Sequence, residues 1–391
     1  MLKKILEKFT FWRGIAALIL LSGVYFTYVR FVYGLGAVTN LSDEFPWGIW
    51  IGFDILCGVG LAAGGFTISA VTHIFNIEKF KPLSRPAILT AFLGYAFVAL
   101  ALMFDLGKPY NIWHPLIMWN PSSVMFEVAW CVMLYLTVLF LEFLSFALEK
   151  FQWQKTLTLL RKVIVPIYIL GIVLSTLHQS SLGSMYLIIP QKMHPLWYSS
   201  FLPVYFYLSA IAVGFAMVIF ESYTSARGMG HKIEFPLLSE ISRITMAFLV
   251  ITLAMRLVDI VLEGKLAFLF KPEIETFMFY IEIGIGTIVP AILLSSKKFR
   301  MDRKWLYLTS VLVVTGFILN RLNVSVTSII YTTGDIYFPS LGEISITMSL
   351  VVVGIIVFKW LSNYFPVFEH KAEEKESLIS FETPHELAPS K

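Results

Sequence analysis

The chain has 391 residues, of which 57% are hydrophobic and only 14% charged, whereas a soluble domain usually carries about 25% charged residues. So few charges are too little to coat a globule of this size in water, which excludes an ordinary soluble enzyme and a disordered chain. The composition is typical of a polytopic membrane protein, whose long apolar segments face lipid. The net charge of +4 does not indicate nucleic-acid binding, because the basic residues are spread by membrane side rather than gathered in one patch.

Ten apolar segments are each long enough to cross a bilayer as a helix. The first follows a basic N-terminus without a small-residue cleavage site, which favours an uncleaved helix over a signal peptide. The predicted spans cover residues 11–33, 47–76, 87–107, 124–147, 162–184, 201–222, 240–263, 275–296, 305–325 and 344–365. We therefore predict an all-α integral membrane protein with ten transmembrane helices. Its membrane domain covers residues 1–366, and a disordered cytoplasmic tail rich in Glu, Lys, Ser and Pro covers 367–391.

The basic residues alternate between the two sides of this membrane domain. One side carries 23 of the 30 Lys and Arg residues and the other carries six, with only Arg256 inside a span. The positive-inside rule then predicts that both termini are cytoplasmic. The three longest loops on the outer side cover residues 108–123, 185–200 and 326–343. Loops of this length often carry function, so we expect them to dock a partner or to cover a site.

Ionisable residues within spans are costly and often mark function. Most of them are predicted to lie toward the outer surface, namely Asp54, Asp105, Glu127, His178, Arg256, Asp259 and Glu282. Only Glu142 and Glu221 lie toward the cytoplasm. A transport path would place its charges near the middle of the membrane. The displacement toward one leaflet therefore favours a site for a lipid-soluble molecule with a polar head, such as a quinone.

Structural roles remain open for several of these residues. Arg256 and Asp259 are three residues apart on one helical face, so a salt bridge between them is an equal alternative. His178 and the following Gln179 are alternatively hydrogen-bonding groups between helices. Gly60 and Gly64 form a G-x-x-x-G pattern, which predicts the close approach of a helix or an apolar ligand.

No redox centre is expected within the chain. Cys57 and Cys131 are its two cysteines, whereas an iron–sulfur cluster typically needs four thiolates. Only His178 lies securely within a span, and His73 is at the opposite side, so we do not expect a haem held by two histidines. Electrons would then arrive from a partner and leave on a diffusible carrier.

Short motifs of unusual composition occur along most of the chain. They are FPWGIW at 45–50 followed by Asp54, NPSSVMFE at 120–127, HQSSLGS at 178–184, HPLW at 194–197, and Arg256 on the seventh span. Together they resemble the HybB-type branch of the NrfD/PsrC family.

This resemblance implies a subunit of a respiratory complex in the bacterial inner membrane, surrounded by membrane lipid. It implies two four-helix bundles, spans 2–5 and 6–9, with spans 1 and 10 flanking them. The family's substrate would be menaquinone, bound near the periplasmic face without a haem in the chain. Electrons would come from a periplasmic ferredoxin-like iron–sulfur subunit and, in this branch, from the small and large subunits of a nickel–iron hydrogenase. The chain would not act on hydrogen by itself.

The resemblance also implies roles for individual residues. The quinone-binding residues would be Asp54, Glu127, His178, Gln179 and Trp47 in the first bundle. In the second bundle, the resemblance implies proton transfer by Arg256, Asp259 and Glu282. Our own hypothesis adds Asp105, Glu142 and Glu221 as proton-transfer residues, of which Glu142 and Glu221 would extend the path to the cytoplasm and couple the reaction to proton translocation. The alternatives are the membrane subunit of another complex, such as a menaquinone reductase or a polysulfide-reductase-like enzyme, and less favoured, a transporter or a purely structural anchor.

Overall fold

The computed structural model describes residues 11–334 and 336–368. Ten helices in this part are long and apolar enough to cross a membrane. They are α1 (Phe11–Tyr33), α2 (Trp50–Ile74), α3 (Glu78–Asp105), α4 (Val124–Lys150), α5 (Gln154–Leu187), α6 (Leu202–Met229), α7 (Phe235–Leu262), α8 (Ile274–Ser295), α9 (Arg303–Thr333) and α10 (Leu341–Tyr364). The prediction of an all-α protein with ten spans is confirmed. The grouping into two bundles stays a prediction, and the predicted tail lies outside the described residues from position 369 onward.

Several helices extend beyond the predicted spans. Helix α3 begins at Glu78 rather than at 87, α5 begins at Gln154 rather than at 162, and α9 continues to Thr333 rather than to 325. Hydropathy detects only the apolar part of a helix, whereas the additional turns of α3 and α5 carry charged residues and those of α9 mix Thr and Ser with apolar residues. The loop predicted over 326–343 is consequently reduced to 334–340.

The ten alternating helices leave two different ends. At one end, which we call the basic end, the helices are joined by the short connections 75–77, 151–153, 230–234 and 296–302. The connections 34–49, 106–123, 188–201, 263–273 and 334–340 form the other end, which we call the loop-rich end. Two of the three predicted long loops, 108–123 and 185–200, lie mostly outside the helices at this end.

Helix α2 is the most enclosed of the ten, because 83% of the residues in its apolar 18-residue stretch are buried inside the protein. Small residues explain how its neighbours approach so closely. A Cβ on Gly60 would collide with the Phe317 ring of α9, and one on Gly64 would lie 3.2 Å from the Gly214 carbonyl oxygen of α6. The predicted role of the Gly60–Gly64 pattern in close helix packing is confirmed.

Four wide π-helical turns interrupt the spans. They cover Trp50–Ile55 and Ala70–Ile74 in α2, Gly284–Ile288 in α8, and Asn323–Thr327 in α9. Such turns are rare and occur frequently at functional sites. Asp54 lies within the first of them, and Glu282 lies two residues before the third.

Helices α8 and α9 cross at a pair of glycines, which yields a test of the fold. A Cβ on Gly286 would collide with the Cα of Gly316, whereas nothing lies within 4 Å of a Cβ built on Gly284. We predict that Gly286→Ala lowers the free energy of unfolding by about 1–3 kcal/mol, the usual cost of overpacking. Gly284→Ala is the matched control and should be neutral or stabilising, because alanine favours a helix over glycine. Thermal unfolding in detergent measures both variants, and equal melting temperatures for the two would contradict the crossing.

Candidate functional site

In the described part of the chain, polar side chains in the spans and in one adjoining loop form three clusters. The Asp54 cluster comprises Asp54, Asp105, Arg30, Glu343 and Thr347. The His178 cluster comprises His178, Gln179, Tyr95, Tyr135 and Ser175. The Glu282 cluster comprises Glu282, Arg256, Asn320, Asn323 and Trp197.

Asp54 connects α2 to α10 beneath the loop-rich end. Its side chain is buried, and its Oδ2 accepts a hydrogen bond from Thr347 Oγ1 at 2.7 Å. One turn before Thr347, Glu343 is fully buried and accepts hydrogen bonds from the backbone N–H groups of Asn40 at 3.1 Å and Ser340 at 2.8 Å. The hydroxyl of Tyr337 also donates to Glu343. Glu343 therefore fastens the start of α10 to the loop before α2.

Asp105 and Arg30 complete this cluster. The Arg30 guanidinium donates to the carbonyl oxygens of Phe104 at 2.7 Å and Leu106 at 2.6 Å, so it caps the C-terminus of α3. Asp105 interacts electrostatically with Arg30, Glu343 and Asp54, while its buried Oδ1 accepts no hydrogen bond within the described part of the chain. Two predicted site residues, Asp54 and Asp105, are thus neighbours.

Asp54 also borders a large cavity. The cavity has a volume of about 600 Å³ and lies between α2, α3, α6 and α10. Its wall is almost entirely apolar, and Glu221 borders it toward the basic end. Glu221 Oε1 and the hydroxyl of Thr90, which also borders the cavity, are both buried without a hydrogen-bond partner among residues 11–334 and 336–368.

His178 lies on the other side of the contact between α2 and α3. It is 0% exposed, and neither ring nitrogen has a hydrogen-bond partner in the described structure. Its ring centroid is 5.6 Å from that of Tyr95, which in turn stands edge-on to Tyr135 at 4.7 Å. The neighbouring Gln179 donates from Nε2 to the Val59 carbonyl oxygen of α2 at 3.0 Å. Because α5 continues to Leu187, His178 lies nine residues from the helix end, about 14 Å deep, rather than the six residues that hydropathy predicts.

The remaining predicted quinone-binding residues lie at the rim of the same helices. Glu127 of α4 is exposed and accepts a hydrogen bond from Ser181 Oγ of α5 at 2.5 Å. Trp47 is half-buried and stands edge-on to Tyr186, with 5.4 Å between ring centroids. Within the described residues, no hydrogen bond or ion pair joins Asp54 to His178, Glu127 or Gln179. The five predicted residues therefore divide between two neighbouring positions.

Among the carboxylates that the structure describes, Glu282 has the largest number of hydrogen-bond and ion-pair partners. It is 2% exposed and forms an ion pair with Arg256 of α7. It also accepts hydrogen bonds from Asn320 Nδ2 at 2.7 Å, Asn323 Nδ2 at 2.8 Å and Trp197 Nε1 at 2.8 Å. The predicted alternative of an Arg256–Asp259 salt bridge is wrong, because Arg256 faces α8 while Asp259 interacts with Ser199.

Two further predicted proton-transfer residues stand apart from these clusters. Glu142 is buried on α4, and Glu221 is on α6. No hydrogen bond connects them in the described structure.

Arg321, which hydropathy places at the outer end of its span, is instead twelve residues from the C-terminal end of α9 and fully buried. Its guanidinium donates to Ser209 Oγ at 2.9 Å and packs over the Phe206 ring.

The loops of the loop-rich end carry a buried histidine of their own. His194 accepts a hydrogen bond at Nδ1 from the backbone N–H of Leu196 at 3.2 Å and packs against Tyr331. Burial lowers the pKa of His194, and the nearby Glu273 opposes that effect. Its backbone N–H donates to the Ser328 carbonyl at 2.9 Å. The HPLW motif thus fastens the 188–201 loop onto the end of α9.

Comparison with known proteins identifies relatives along almost the whole chain. The family model described as "Polysulphide reductase, NrfD" matches residues 37–332. A Nitratidesulfovibrio vulgaris protein whose name states no function is 39% identical over 91% of this chain and 94% of its own length. The "Probable Ni/Fe-hydrogenase 2 b-type cytochrome subunit" of Escherichia coli is 34% identical over 86% of this chain and 87% of its own. The "Menaquinone reductase, integral membrane subunit" of N. vulgaris is 27% identical over 94% of each chain.

The Glu282 cluster predicts a large effect on stability. Glu282→Ala leaves the Arg256 guanidinium buried without its carboxylate, and losing one partner of a buried pair typically costs about 3–5 kcal/mol. We predict a marked fall in the melting temperature of the purified chain, partly restored in the double variant Arg256→Leu with Glu282→Leu. Glu78→Ala, which removes the exposed carboxylate paired with the exposed Lys81, is the control and should change stability by at most about 1 kcal/mol. A stable Glu282→Ala protein would assign this cluster a role other than holding α7, α8 and α9 together.

Proposed function

Because the chain belongs to the NrfD family, we propose that it is the quinone-reactive membrane subunit of a respiratory oxidoreductase complex. In this proposal the loop-rich end faces the periplasm, both termini are cytoplasmic, and the protein resides in the bacterial inner membrane. A periplasmic iron–sulfur subunit delivers electrons at the loop-rich end, and menaquinone accepts them within the membrane domain. The names of the E. coli and N. vulgaris relatives, a hydrogenase subunit and a menaquinone reductase subunit, support this assignment.

The cavity beside Asp54 is the observation that carries the proposal. Sites for organic ligands are typically apolar spaces of about 300–1,000 Å³ with a small number of polar groups that orient the ligand. The cavity has about 600 Å³, and Asp54 borders it near the loop-rich end. An aromatic quinone ring would fit the apolar wall, with a carbonyl oxygen directed to Asp54.

Reduction of a quinone to a quinol consumes two electrons and two protons, one for each carbonyl oxygen. In the proposed reaction, protonated Asp54 donates a proton to the nearer carbonyl oxygen, and Thr347 holds the carboxyl in position by its 2.7 Å hydrogen bond. Asp105, which interacts with Asp54 and lies at the end of α3, would return a proton to it. Glu142 and Glu221 are the proposed relay toward the basic end, which would couple the reaction to proton translocation.

The His178 cluster is the second polar position for the quinone head. The His178 ring nitrogens, Gln179 Oε1 and Tyr95 Oη are all buried without a hydrogen-bond partner in the described part of the chain. Unpaired buried polar atoms are uncommon and call for an explanation. We propose that His178 is a second proton donor and Gln179 a hydrogen-bonding group for a head group bound on this side of the contact between α2 and α3, with Glu127 and Trp47 at the rim. Arg256, Asp259 and Glu282 are proposed as a separate proton-handling group, although the bonding of Glu282 equally supports a structural role.

The proposed site predicts that Asp54→Asn abolishes quinone chemistry without disturbing the donor. Asparagine keeps the size and can accept from Thr347, but it cannot donate a carboxylic proton. Because general acids typically contribute 10²–10⁴-fold, we expect quinone-linked turnover to fall by at least about 100-fold. Dye-linked oxidation of the electron donor by the same purified complex should be unchanged.

His178→Ala provides the comparison with the second position. A fall in quinone-linked turnover comparable with that of Asp54→Asn would support a head group reaching both clusters. Unchanged turnover in His178→Ala would exclude His178 from the site while leaving Asp54 in it. Unchanged turnover in both variants would overturn the proposed site.

The electron donor is tested by purification of the intact complex. We propose a nickel–iron hydrogenase donor, and a tagged chain extracted from membranes in mild detergent should then bring down an iron–sulfur subunit and both hydrogenase subunits. Mass spectrometry identifies these partners. Recovery of cytochrome subunits or a polysulfide-reductase-like partner instead would favour the menaquinone-reductase or polysulfide-reductase alternative.

A further inference from the structure

The cavity beside Asp54 is longer than a quinone ring requires. Its lining on α3 runs from Ala101 near Asp54 to Thr90, and on α10 from Leu350 to Lys359. At about 1.5 Å of rise per residue, the α3 wall alone is about 16 Å long. A ring held at Asp54 would occupy only the first part of this space.

The far part of the cavity opens sideways. On α10, Ile355 is 64% exposed and Lys359 is exposed, and on the facing side of α6, Thr224 and Gly228 are exposed. These four residues form a mouth between α6 and α10, toward the basic end. Because these residues are exposed, the mouth opens on the outer surface of the helix bundle.

The wall between Asp54 and the mouth has the chemistry of a hydrocarbon channel. It is formed by aliphatic and aromatic side chains that include Leu61, Val98, Met217, Phe220 and Phe358. Such a wall offers dispersion contacts along most of its length, and the polar residues Thr90, Glu221 and Ser225 border it only toward the mouth. It suits an unbranched or methyl-branched chain better than a second polar molecule.

We propose that this cavity holds the isoprenoid tail of the quinone, with the ring at Asp54 and the tail leaving the protein between α6 and α10. This inference rests on the proposed function and extends it to the part of the substrate that is not reduced. In the opposite orientation the ring would lie at Glu221, close to the mouth. The tail would then either point into the protein toward Asp54 or lie entirely in the lipid, where it would leave the apolar wall unused. The structure thereby assigns α6 and α10 as the elements that discriminate tailed from tail-less quinones.

Gly354 allows the tail channel to be blocked with little disturbance of the fold. It borders the cavity on α10, and the nearest atom to a Cβ built there is Phe97 Cε2 at 3.6 Å, an ordinary contact. Gly354→Leu would therefore project its side chain into the channel. Gly284→Leu is the matched control, because Gly284 lies in another membrane helix, does not border this cavity, and has nothing within 4 Å of its Cβ position.

The experiment compares two electron acceptors on the purified complex in lipid nanodiscs. The acceptors are 2-methyl-1,4-naphthoquinone and the same ring carrying a polyisoprenoid tail. Overpacking a filled space typically costs about 1–3 kcal/mol, so we expect Gly354→Leu to lower kcat/KM for the tailed quinone by about tenfold to a hundredfold. The tail-less quinone should react within about twofold of the unmodified complex, and Gly284→Leu should affect neither acceptor.

The outcomes separate this inference from the proposed function. Equal losses for both acceptors would mean that the ring itself occupies the Gly354 region, and no loss for either would mean that the tail lies elsewhere. Either result overturns the tail assignment, whereas an Asp54→Asn complex with full activity overturns the site as a whole. Should Gly354→Leu lose dye-linked activity as well, Gly228→Leu at the mouth takes its place, since a Cβ there has nothing within 4 Å.

Discussion

The absence of water inside a membrane is the constraint on which this structure depends. Every buried polar group must find its partner within the protein, because lipid offers none. Helices satisfy their own backbones, so the remaining problem is the side chains. Glu282 shows the complete solution, with donors from α7, α9 and the 188–201 loop around one carboxylate. Asp105, Glu221 and His178 show the incomplete one, since each retains a buried polar atom without a hydrogen-bond partner in the described residues.

This contrast distinguishes polar side chains that hold helices together from polar side chains that remain available to a substrate. The bonded Glu282 cluster holds helices together, and the Asp54 and His178 positions retain unused hydrogen-bonding capacity beside the contact between α2 and α3. The small residues of α2 allow α3, α6 and α9 to approach it closely, while α6 and α10 stay apart and leave the cavity between them. The proposed quinone site therefore exists because α2 packs tightly against its neighbours, whereas the space between α6 and α10 stays open.

The number and order of the helices could be predicted from the sequence, because the length of an apolar run is a local property. Asp54 could be found in the same way, since a carboxylate within an apolar run is unusual. Its partner Thr347 could not, because the two residues are 293 positions apart and nothing local marks the hydroxyl. Likewise, the i, i+3 spacing left an Arg256–Asp259 pair as an equal alternative, but the three-dimensional packing directs Arg256 to Glu282. Glu343 did carry a local signal, since Ser340 and Glu343 form a capping box.

The most direct test of the central claim is to locate the quinone ring by photolabelling. A naphthoquinone with a photoreactive group on its ring would be bound to the purified complex in nanodiscs, irradiated, and mapped by mass spectrometry of the peptides. If the quinone ring binds at Asp54, adducts will form on the α2 peptide around Asp54 or on the α10 peptide around Thr347, and an excess of unlabelled tailed quinone will abolish them. Competed adducts confined to α7, α8 and α9 around Glu282 would contradict it.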